Sequence, residues 1–75
     1  EPMIEDEANA RKISDLILEY GAQLDASVET MQSALPLDEF HAYRRAIGGV
    51  LAEMLLKILN PIYQRHPSLK PPELK

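Results

Sequence analysis

Residues Ala46–Leu59 read AIGGVLAEMLLKIL, with only Glu53 and Lys57 charged. A helix at the surface of a globular protein carries one apolar stripe and one polar face, but this stretch is apolar or small on nearly every side. That is the pattern of a helix covered by several neighbours. A chain of 75 residues offers one other long helix, so a single partner within the chain leaves part of the surface uncovered. The shortage points to a second copy. Within the stretch and beside it, Ala42, Gly48, Gly49, Ala52, Leu55, Leu56 and Leu59 form a surface apart from the main stripe. Gly48, Gly49, Ala52, Leu55, Leu56 and Leu59 are assigned to a dimer contact, with Gly48 and Ala52 as a small-xxx-small pair that allows close backbone approach.

Working outward, Phe40, Tyr43, Ile47, Leu51, Met54, Ile58 and Ile62 repeat with a spacing of eleven residues. The same spacing recurs upstream in Ile13, Ile17, Tyr20, Leu24, Val28, Met31 and Leu35. An eleven-residue repeat belongs to a nearly straight helix rather than a heptad coiled coil. Two stripes of one period stay in register along a hairpin. Pro36 ends the first helix and suits the first turn of the second, where Asp38 and Glu39 favour the N-terminal dipole. The expected architecture is all-α: an antiparallel two-helix hairpin over residues 1–66, dimerising into a four-helix bundle with the second helices central. Helix 1 is placed at about 4–34 and helix 2 at about 37–65, with a bend near Pro61. Residues 67–75, with three prolines, read as an extended tail.

The bulk composition narrows the function classes. No cysteine is present, which removes disulfides, thiolate zinc sites and thiol catalysis and suits a reducing cytoplasm. Ala46–Leu59 is short of the roughly 20 apolar residues that span a bilayer, so no membrane segment is expected. No basic-then-apolar leader opens the chain, and Met3 is a candidate initiator. Net charge is -4, with eight acids against Arg11 and Lys12 up to Leu35, and four acids against six bases from Pro36 onward. Mutual neutralisation of the two helices explains that asymmetry better than a nucleic-acid surface, which wants a basic groove with exposed aromatics.

Chemistry is sparse. No His pair at i, i+4 and no Glu-x-x-His occurs, so no metal or cofactor is expected. His41 and His66 read as surface residues. Gly48-Gly49 lies inside a helix and lacks the context of a phosphate loop. No serine sits in a nucleophile elbow, so no catalytic residue is assigned. Arg44, within the apolar stripe, is the one polar anchor candidate. Its simplest partner is a carboxylate of helix 1, with the stem packed on apolar neighbours. Glu53 and Lys57 stand in the favourable i, i+4 order for an ion pair. The expected role is a non-enzymatic homodimerisation and protein-interaction module, a regulatory or adaptor subunit with itself and another protein as partners. The alternative is a small-ligand or metal carrier within the bundle.

Overall fold

The structure, a computed structural model, describes residues 3–72. Helix α1 spans Glu7–Gln32 and is capped by Asp6, whose carboxylate accepts the backbone N–H of Asn9 at 2.9 Å. That cap fixes the start at Glu7, since an N-cap aspartate satisfies a donor that the first turn leaves free. A turn closed by the N–H groups of Ala34 and Leu35 on the carbonyl of Met31 leads to Pro36. Helix α2, Leu37–Met54, then runs back along α1. The result is an elongated hairpin of 45 × 20 × 19 Å.

At Pro61, where a bend rather than a restart is expected, the helix is continuous and runs through a π turn, Leu55–Leu59, into α3, Asn60–Arg65. The N–H of Asn60 reaches back five residues to the carbonyl of Leu55. Proline has no N–H and its ring clashes with the carbonyl four residues earlier, here that of Lys57. A π turn widens the spiral by one residue and takes up the misfit. The extra residue also sets back the phase of everything downstream by about 100°. Leu59, Tyr63 and His66, which a regular helix would carry away from α1, are thereby swung towards it. Together with Ala10 and Ile62, Leu59 and Tyr63 form the buried core, against which Ile4, Ile13, Ile17, Leu18, Ile58 and Leu69 pack. Leu59, which the periodicity assigns to a dimer contact, is therefore 5% exposed inside the chain's own core.

The tail does not begin extended. Pro67–Leu69 form a 3-10 turn, and Leu69 folds onto the core. Residues 73–75 of the expected tail lie outside the described residues. His66 is not a surface residue either. It is buried, and its Nε2 lies 2.8 Å from the carbonyl oxygen of Ile4, joining the two ends of the described chain. Arg65 and Glu5 add an exposed ion pair at 3.7 Å beside it.

On α1 the innermost line is Ala10 and Ser14, followed by half-buried Ile17, Gly21, Leu24 and Val28. This line is rotated from the one drawn through the largest side chains. Tyr20 is left 52% exposed, because the closest approach of two helices falls at small residues. A methyl group on Gly21 would sit 3.6 Å from Leu51 and 3.7 Å from Met54, so α2 lies directly against it.

Candidate interaction surface

Two hydroxyl pairs lock the faces of the hairpin that meet. Ser27 donates its single proton to the carbonyl of Leu24 at 2.6 Å, so the Tyr43 hydroxyl, also 2.6 Å away, must donate to Ser27 Oγ. Nearer the termini, Ser14 and Tyr63 place their hydroxyls 3.4 Å apart in the core. Among the described residues no buried side-chain polar atom lacks a partner. No unanswered buried donor or acceptor therefore points into a ligand site.

The charged residues behave differently from the expected neutralisation. Glu53 and Lys57 pair at 3.4 Å as their spacing foretells, and Glu7 pairs with Arg11 at 3.8 Å. Among the described residues, no ion pair joins α1 to α2. Arg44 has no carboxylate partner on α1. It is exposed, with its guanidinium 5.8 Å from the centre of the Phe40 ring, a cation–π contact worth about 0.5–1 kcal/mol at an exposed position. Asp25 and Glu29 on α1 are exposed as well. Each helix thus keeps charge of opposite sign available to something outside the hairpin.

Much of the outer side of α2 and the π turn is apolar or small. Leu56 is 61% exposed, and Val50 and Leu55 are exposed with Ala42, Ala46, Ala52, Gly48 and Gly49 on the same helix. Outside the adjoining backbone of the helix itself, no atom lies within 4 Å of a methyl placed on Gly48 or Gly49, so no packing contact among the described residues requires glycine at either. Beside this surface an open groove of about 320 Å³ runs between the helices, its lining including Leu18, Ala22, Asp25, Leu51, Leu55 and Leu59. Of the six residues assigned to a dimer contact, Leu55 and Leu59 line the groove, while Gly48, Gly49, Ala52 and Leu56 are exposed on α2 and the π turn. A larger, more polar hollow of about 420 Å³ lies near the C-terminal turn, against Asn60, Tyr63, Gln64, Pro67 and Lys70.

No known protein family, characterised protein or solved structure matches the chain. The surface must speak through its own chemistry. Among the described residues, no three His, Asp or Glu side chains converge as a metal site would need.

Length no longer argues against a membrane. The run Leu37–Arg65 is 29 residues long, with a mean hydropathy of 1.3 over its best 18-residue window and 17% of that window buried. By length and composition it passes for a spanning helix, as apolar helices of water-soluble proteins also do. The obstacles are Glu53 and Lys57 midway along its apolar half, since charges near a bilayer centre cost about 2.5–3.5 kcal/mol each on the insertion scale. A polar α1 is also packed along most of its length.

Proposed function

We propose that the chain is a non-enzymatic homodimerisation and protein-interaction module of the cytoplasm, a regulatory or adaptor subunit whose two hairpins join into a four-helix bundle. The observation that carries this reading is the uncovered apolar surface of the hairpin, made of the groove beside Leu18, Leu51 and Leu55 and the outer side of α2 and the π turn. The folded chain exposes 5504 Å². The scaling of surface with mass for folded monomers gives about 4,650 Å² at 8.5 kDa. The surplus, roughly 850 Å², goes with a chain drawn out to 45 × 20 × 19 Å around a thin core, a shape that leaves apolar surface for a partner to cover. A chain below about 80 residues without disulfide or metal also gains most from association.

The carrier alternative rests on the groove, whose volume falls at the lower end of ligand pockets. Such pockets hold a few convergent polar groups, whereas Asp25 is the one charged side chain lining this one. Light scattering in detergent-free buffer tests the reading. A mass twice 8.5 kDa at micromolar concentration is expected. A mass that stays at the monomer value as concentration rises sinks the reading, as does co-sedimentation of the whole sample with lipid vesicles. Tight uptake of an apolar dye by the dimer supports the carrier instead.

A further inference from the structure

The homodimer reading leaves open which faces meet and in which direction, and the groove answers both. Continued at helical spacing towards the turn, the groove side of α1 runs from Leu18, Ala22 and Asp25 to Glu29, and that of α2 from Leu55 and Leu51 to Gly48 and Arg44. Both sets are spaced four, three and four residues apart, which places each along one face of its helix. Leu18, Ala22, Asp25, Leu51 and Leu55 line the groove itself. The antiparallel register follows from two contacts. The Tyr43 hydroxyl reaches Ser27, and Gly21 lies against Leu51. Leu18 therefore stands level with Leu55, Ala22 with Leu51, Asp25 with Gly48, and Glu29 with Arg44. Each hairpin carries an apolar half near the termini and a charged half near the turn.

We propose that two copies dock groove to groove with both hairpin turns at the same end, so that α1 of each copy lies on α2 of the other. Closed dimers use one patch on both copies, and two such faces can be related by an axis along the helices or by one across them. An axis along the helices keeps every level. Leu18 then meets the partner's Leu55, Ala22 the partner's Leu51, and Glu29 the partner's Arg44, while Asp25 lies over the partner's Gly48 with Arg44 and Arg45 close by. All helix neighbours are antiparallel, as in up-down bundles. An axis across the helices reverses the levels and lays α1 on α1. Leu18 then faces the partner's Glu29, and Leu55 faces the partner's Arg44. Acidic helices are stacked on each other, and charges are desolvated against leucine without a counter-charge. The first arrangement supplies the opposite charges that Glu29 and Arg44 lack within their own chain, and it covers the groove with matching apolar residues. Desolvation of Glu29 and Arg44 against leucine disfavours the second.

The chain has no cysteine, so a single one introduced at Ala34 in the exposed turn gives a unique label site. Spin labels on Ala34→Cys are expected at about 10–20 Å from each other, the spacing of neighbouring helices plus linkers. Opposite-end docking would put them at a separation approaching the 45 Å length of the hairpin and overturn the proposal. Light scattering on the same sample separates the two claims: a dimer with distant labels sinks this arrangement alone, and a monomer sinks the dimer reading with it. Charge reversal is the second measurement. Glu29→Arg and Arg44→Glu should each weaken association at least tenfold at low salt, and the double variant should recover most of the loss. Equal weakening in all three, with helical circular dichroism intact, would refute the cross-subunit pairing.

Discussion

Side chains that a sequence search passes over as chemically idle set how the two helices meet. Ser27 and Tyr43 are polar residues on faces that pack, and their hydroxyl geometry assigns each proton: Tyr43 to Ser27, Ser27 to Leu24. Removing the tyrosine hydroxyl loses one short bond and leaves Ser27 still donating. Tyr43→Phe is therefore expected to lower stability by about 1 kcal/mol. Ser14 and Tyr63 are 3.4 Å apart, a longer and weaker contact, although they lie deeper. Tyr63→Phe should cost less than Tyr43→Phe in urea unfolding at one protein concentration, which must be held fixed because association contributes to stability. The reverse order would show that depth outweighs geometry. His66 works in a similar way. Facing a carbonyl that only accepts, its Nε2 must carry the proton, and the ring then fastens the C-terminal turn to the segment before α1.

The helices themselves are largely legible in the sequence, because eleven-residue spacing survives in both and Pro36 marks the turn between them. The phase beyond Met54 is not. A periodicity argument assumes one helical geometry throughout, and on that assumption Leu59 and Tyr63 belong to an outer surface. The π turn ahead of Pro61 breaks the assumption by one residue and makes them core. The available signal is a proline inside an apolar stripe that continues past it, which marks an irregularity without telling that the turn before it takes one residue more. Tyr20 escapes the pattern for another reason: a stripe drawn through large side chains includes it, while the helices close on Ala10, Ser14 and Gly21. If the π turn is a one-residue insertion made for Pro61, deleting Lys57 together with Pro61→Ala should restore a regular helix and keep Leu59, Tyr63 and His66 facing α1. Lys57 is 75% exposed, so its own loss is minor. Stability is expected within about 1–2 kcal/mol of the parent. Deleting Ala46 instead rotates the whole downstream core by about 100° and should abolish cooperative melting. Similar damage from both deletions would show that the π turn is not a simple insertion.

The hairpin taken entire has a thin core and a broad apolar exterior, and the adjacent glycines on α2 tell which part of that exterior is used. Both sit in mid-helix with open space around them. In the isolated hairpin either Gly→Ala change should stabilise, by up to about 1 kcal/mol through helix propensity and a less flexible unfolded chain. The two differ in direction, for successive helical residues point about 100° apart. Gly48 shares the groove face with Leu51 and Leu55, while Gly49 points away from α1. If docking uses the groove, the methyl of Gly48→Ala meets the partner's α1 near Asp25, where overpacking costs about 1–3 kcal/mol. Gly49→Ala meets solvent. The expected outcome is that Gly49→Ala melts higher and associates as the parent does, whereas Gly48→Ala keeps its helical circular dichroism but dissociates at concentrations where the parent stays dimeric. The opposite pattern would move the contact to the back of α2, around Gly49 and Leu56. Equal stabilisation by both, with association unchanged, would take α2 out of the dimer contact and leave α1, around Leu18, Ala22 and Ala26, to carry it.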